Sequence, residues 1–121
     1  MRSERWDNHF SFFHILLFCI IFPSCQICTN EIQKSEAIDE RNKIVLFSRD
    51  AGATTSASLQ ISIMPITKTL GNSKGGNICI TNGKHLDYEI KAPYIVIIYT
   101  GDLFLKKERF NDYIITYIKH E

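Results

Sequence analysis

The apolar positions of this chain change rhythm along its length. Residues 1–9 are mostly polar, with Arg2 and Arg5 beside Glu4 and Asp7. Residues 10–22 are apolar apart from Ser11 and His14, and Pro23, Ser24 and Cys25 follow. Residues 28–42 are polar, with only Ile32, Ala37 and Ile38 to interrupt them. That spacing is too sparse for a buried helix face. From Lys43 onward the pattern is short apolar runs of strand length, separated by turn residues.

Residues 43–49 form the first such run, and Asp50, Ala51 and Gly52 break it. Residues 55–64 alternate cleanly. Ala57, Leu59, Ile61 and Ile63 fall on one face, and Ser56, Ser58, Gln60 and Ser62 on the other. This predicts a strand with one buried face and one wet face. Pro65 opens a glycine-rich loop through Gly71, Gly75 and Gly76, and residues 77–81 form the next strand. Asn82-Gly83 suits a type I′ turn, whose two central residues need positive φ. Leu86, Tyr88 and Ile90 alternate with Asp87 and Glu89. After Ala92-Pro93, residues 94–100 are apolar on both faces, as in a central strand. Residues 103–107 suit an edge strand, because Lys106 and Lys107 discourage further pairing. Phe110-Asn111-Asp112 makes the last turn before residues 113–119. Every connection is short, so the expected fold is all-β, a small antiparallel sheet or meander of about six strands. Composition agrees: after residue 24, sixteen Ile stand against six Leu. Ile is β-branched and favours strands.

The amino terminus reads as an address. A basic start, an apolar stretch of about 7–15 residues and a small residue before a cut describe a secretory signal peptide. The run is shorter than the ~20 residues that span a membrane as a helix. Ser24-Cys25 is similar to the lipobox of bacterial lipoproteins, in which the Cys is acylated, for example with palmitate, and becomes the first residue of the mature chain. Phe22 departs from that pattern, where Leu is usual. Ordinary signal cleavage and an uncleaved anchor are the alternatives. The expected organisation is a signal peptide over 1–24, a lipid-anchored tether over 25–42 and an antiparallel β domain over 43–121. The expected place is the bacterial cell envelope, facing the periplasm or the cell surface, with Cys25 carrying the link to the membrane.

The 121 residues carry fourteen Lys+Arg against thirteen Asp+Glu, a net charge of +1. No basic field exists to hold nucleic acid, so no nucleic-acid partner is expected. There are four Cys. Cys19 would leave with the signal and Cys25 would carry lipid. Cys28 and Cys79 remain as a candidate disulfide in an oxidising compartment. Such a bridge would be worth roughly 3–4 kcal/mol in the chain-entropy model. Cys25 and Cys28 also read as C-x-x-C, but no βαβ unit follows to make the redox motif. His85 and His120 show no ligand spacing, so no metal and no cofactor are expected.

The segment Arg49-Asp50-Ala51-Gly52-Ala53-Thr54-Thr55-Ser56, followed by Leu59-Gln60-Ile61-Ser62-Ile63 and later by Gly76-Asn77-Ile78-Cys79-Ile80, resembles an uncharacterised family of small bacterial exported proteins and lipoproteins. That family carries an R-D-x-G-A-T-T segment and then a glycine-rich loop. The resemblance runs from about Lys43 to Tyr117. It implies an exported β-rich domain and no particular reaction. In that family Cys often stands where this chain has Ala51, so no thiol role is carried to that position.

Two readings of the turn remain open. Asp50, Gly52, Thr54, Thr55 and Ser56 form a ligand or partner rim, or Gly52 supplies positive φ while Asp50 caps the loop. A nucleophilic Ser or Thr needs a base, and no pattern links His85 to this loop. Tyr88, Tyr94, Tyr99, Tyr113 and Tyr117 form an aromatic binding face or serve cross-strand packing. Three functions compete. One is a non-enzymatic envelope lipoprotein that binds a protein partner, an immunity-type inhibitor being one version. Another is a small-ligand or hydrolytic site around residues 50–56 and His85. The third is an accessory subunit that joins a larger sheet by its edge. The expected function is the first, with no catalytic residues.

Overall fold

The computed structural model describes residues 28–52 and 57–120. The expected signal peptide, Cys25 and residues 53–56 lie outside that range. The described residues form nine strands: β1 Thr29–Ala37, β2 Asn42–Asp50, β3 Ser58–Pro65, β4 Cys79–Thr81, β5 Leu86–Lys91, β6 Tyr94–Tyr99, β7 Leu103–Lys106, β8 Arg109–Phe110 and β9 Tyr113–Lys119. They make a five-stranded sheet in the order β1-β2-β3-β4-β7 and a four-stranded sheet in the order β5-β6-β9-β8. The fold is all-β and mostly antiparallel. Its edge β7 carries Lys106, and its apolar strand β6 is central.

The two sheets share one core. Ile44, Leu46, Ile61, Ile63, Ile78 and Cys79 from the first face Leu86, Tyr88, Ile95, Ile97 and Ile115 from the second. Within the strands period-two alternation supplies one side chain in two to this layer, and Ile78 joins it from just before β4. Fully burying one Ile is worth about 1.5–3 kcal/mol, so the Ile-rich composition is the main source of cohesion.

Four expectations change. The tether proves to be structured over residues 29–37. Those residues form β1, paired antiparallel with β2 from Thr29↔Asp50 to Ala37↔Lys43. An edge strand is held by backbone hydrogen bonds and buries little, so its sequence shows no apolar periodicity. The β domain therefore reaches back at least to Thr29, ahead of the expected start at Lys43. Second, pairing is not antiparallel throughout, because β6 and β9 run parallel from Tyr94↔Ile114 to Tyr99↔Lys119. Between them the chain crosses to the other sheet, forms β7 there and returns through β8. That detour over residues 100–112 supplies the long crossover a parallel pair requires.

Third, the wet face of β3 is covered. Gln60 and Ser62 are each only 4% exposed. The register places them beside Phe47 and Val45, on the face turned away from the core. Residues 66–77 fold back over that face. Gln60 Oε1 accepts the Gly76 amide at 2.6 Å, and Ser62 Oγ accepts the Asn77 amide at 3.1 Å. Asn77 also pairs both ways with the Ile63 backbone, each bond 2.9 Å. The polar side chains are thus satisfied by a loop instead of by water.

Fourth, Asn82-Gly83 is not a type I′ turn. Positive φ among the described glycines occurs at Gly52 and Gly101. Gly83 is needed for space, since a Cβ there would collide with the Thr100 carbonyl. The two links between the sheets, residues 82–85 and 100–102, clasp each other at this point. Asp102 N–H donates to Asn82 Oδ1 at 2.8 Å, and Thr100 N–H donates to the His85 carbonyl at 3.0 Å.

Candidate interaction surface

Asp50 closes β2 with its carboxylate turned to its own loop. Oδ1 accepts the Gly52 amide at 3.0 Å, and Gly52 takes φ 132°. These are the features of the capped turn, in which Asp serves the backbone. Thr54, Thr55 and Ser56 lie outside the described residues. His85 is exposed and is engaged through its backbone with Thr100. These bonds make it part of the clasp.

The cysteine pairing does not form. Cys79 carries a free thiol, fully buried on β4. The register explains why Cys28 is not its partner. Cys79 lies opposite Ile61, which lies opposite Leu46, which lies opposite Lys34, six residues beyond Cys28. Three strand spacings alone separate the two columns by roughly 14 Å, whereas a disulfide needs Cα atoms within about 7 Å. Burial pushes the Cys79 thiol up to about 12. It stays protonated at neutral pH and packs as a small apolar group.

Four of the five tyrosines turn inward. Tyr88 is in the core, and Tyr99, Tyr113 and Tyr117 pack against it. Tyr99 and Tyr117 meet edge to face at 6.3 Å. Tyr117 donates its hydroxyl to the Lys107 carbonyl at 2.6 Å, and Tyr113 donates to the Ile38 carbonyl at 2.9 Å. Burial raises both phenols above their ordinary value. Cross-strand packing accounts for these four, and Tyr94 alone faces outward.

A polar clamp went unnoticed in the sequence. Arg49 Nη1 donates to Asn30 Oδ1 at 2.9 Å, to the Asn72 carbonyl at 3.0 Å and to the Lys74 carbonyl at 2.9 Å. Asn30 Nδ2 donates to the Gly71 and Lys74 carbonyls at 2.7 and 2.8 Å. These bonds pin the tip of the glycine-rich loop to β1 and β2. The only signal in the sequence was an Asn and an Arg opposite glycine-rich chain, which is too common to read. The clamp leaves the loop closed over Gln60 and Ser62, so this face is a structural lid.

The open surface is the outer face of the four-stranded sheet. Tyr94, Val96 and Ile98 on β6 lie beside Ile114, Thr116 and Ile118 on β9. Tyr94 is 47% exposed and Ile118 52%. Asp87, Glu89 and Lys91 of β5 border this apolar file on one flank, and Arg109 of β8 borders it on the other. A contiguous apolar strip rimmed by charge is what a protein interface presents. Strand β6 is apolar on both faces as in a buried central strand, yet among the described residues no element lies across its outer side.

No family model, curated protein or solved structure matches this chain.

Proposed function

We propose that this protein is a small cell-envelope lipoprotein, anchored by a lipid on Cys25, whose β domain binds a protein partner without catalysing a reaction. The observation that carries the binding reading is the outer strip of Tyr94, Val96, Ile98, Ile114 and Ile118. It is apolar, and its charged border can set orientation and steer encounter. Asp50 bonds its own turn and the His85 backbone bonds Thr100, and neither contact joins the two residues. The anchoring reading rests on the signal-like run and on Ser24-Cys25.

A photo-crosslinking side chain at Tyr94 or Ile118, introduced in the native cell, tests the binding. One defined protein should be captured from both positions and not from Glu31, which is exposed on β1. Equal capture at Glu31, or no protein adduct at either strip position, would remove the reading. Cys25→Ser tests the anchor: acyl labelling should vanish and the protein should leave the membrane fraction. Unchanged fractionation would refute lipid anchoring.

A further inference from the structure

Besides β8, which is only two residues long, four strand edges face outward, and three of them are guarded. Strand β1 carries a bulge between Ile32 and Lys34 and is almost wholly polar. Strand β7 is four residues long and meets another irregularity between Ile80 and Thr81. On β5 the outward carbonyl of Tyr88 accepts a hydrogen bond from Lys34 Nζ at 3.3 Å. Bulges, short strands and an edge carbonyl that is already bonded keep these edges from pairing.

Strand β9 differs. Its Ile114 amide donates to the Pro93 carbonyl at 2.9 Å and its neighbour His120 donates to Tyr99 at 2.7 Å, both on the β6 side. The Ile115 amide donates to the Glu108 carbonyl at 3.0 Å, on the opposite side. Backbone groups two residues apart point the same way along a strand. The N–H and C=O of Tyr117 therefore point away from β6. Strand β8 pairs only with Tyr113 and Ile114, so it stops short of Tyr117. A cavity of about 480 Å³ lies along this stretch, lined by Lys106, Glu108, Arg109, Thr116 and Tyr117 among others.

We propose that the β9 edge at Tyr117 is a strand-addition site for an extended acidic and apolar segment of a partner protein. The proposal rests on the protein-binding reading above and names how that partner engages. Unpaired backbone groups supply the hydrogen bonds, and the cavity supplies room for the added strand. Lys106 and Arg109 line this cavity beside the single acid Glu108. Glu108 is itself close to Lys106, at 3.7 Å. A second copy of this chain would bring the same cations against them, and like charges across paired strands oppose association. An acidic segment meets them favourably. Its outward apolar side chains would extend the strip formed by Ile114 and Ile118.

The test uses the full chain in detergent micelles and a fluorescent nine-residue peptide of alternating Glu and Val. The peptide should bind and slow hydrogen exchange at the Tyr117 amide. Methylating alternate peptide nitrogens removes the strand hydrogen bonds and leaves the charge, so affinity should fall roughly tenfold or more. Arg109→Glu should weaken the Glu peptide and favour its Lys counterpart. Undiminished binding of the methylated peptide, or unchanged exchange at Tyr117, would overturn the proposal. Concentration-dependent slowing at Tyr117 without peptide would instead identify a second copy, and would also overturn it. If crosslinks at Tyr94 and Ile118 capture a protein while Tyr117 exchange stays unchanged, the edge proposal fails and the binding reading stands.

Discussion

Two glycines in the covering loop should respond in opposite ways to the same substitution. At Gly76 an added Cβ would sit 2.9 Å from the Ile61 carbonyl oxygen, 3.0 Å from the Gln60 Cβ and 3.1 Å from the Cys79 carbonyl oxygen. Two of these are backbone atoms of β3 and β4, whose places are set by the ladder Ile61↔Cys79. They cannot yield without disturbing the sheet. The Gly76 amide must also reach Gln60 Oε1. Gly76→Ala should therefore cost about 1–3 kcal/mol, the usual range for overpacking. For a domain of this size that is a fall in Tm of roughly 5–20 °C. At Gly71 nothing lies within 4 Å of the added atom, and its φ is not positive. Gly71→Ala should be neutral or stabilising by up to about 1 kcal/mol, through a less disordered unfolded chain. Urea titrations of the two variants beside the wild type measure both values. A Gly76→Ala variant within about 0.5 kcal/mol of wild type, which is the usual range for neutral surface changes, would refute the account of a loop packed onto β3. Equal losses at the two positions would do the same.

Three further outcomes follow from the buried and paired groups. Cys79 should resist iodoacetamide in the native protein and react only after unfolding, as read by peptide mass mapping; alkylation of the folded chain would contradict its burial. Burial raises the titrations of Cys79 (from 9.0 to about 12), Tyr88 and Tyr117 above their unfolded values. The stability these groups contribute is complete below the unfolded values near pH 9–10 and is lost as pH rises toward the folded ones. Urea midpoints should thus fall above about pH 9, and a flat profile to pH 12 would count against this. Lys34→Met removes the 2.9 Å contact with Asp87 and the cation 4.2 Å above the Tyr88 ring. Burial raises the Asp87 carboxyl, but the Lys34 contacts and the Tyr88 amide outweigh it and hold the group below its ordinary value. The variant should bring that titration back up by NMR and cost at most about 1 kcal/mol, since both partners are partly solvated.

The amino-acid pattern by itself determined which residues share a face. Alternation in residues 58–64 and 86–90, the apolar run at 94–99 and the turn residues at Asp50, Gly52, Gly101 and Asn111 are local signals, and they yield strands and reversals directly. The cap at Asp50, one of the two readings the residues left open, needs no distant contact. Tertiary structure decided what each face meets. Strand β1 was illegible because an edge strand is held by ladder hydrogen bonds, which every residue type can make. The polar face of β3 reads as wet because periodicity separates the faces but does not say what covers them, and here a loop twelve residues long does. The parallel pair of β6 and β9 depends on a crossover through the other sheet, and the separation of Cys28 from Cys79 depends on strand order. The outer strip shows the same limit from the other side. A strand apolar on both faces reads as buried, and only the arrangement of the described sheets leaves Tyr94 and Ile118 half exposed. Local periodicity is written residue by residue, whereas coverage is set by contacts between segments far apart in the chain.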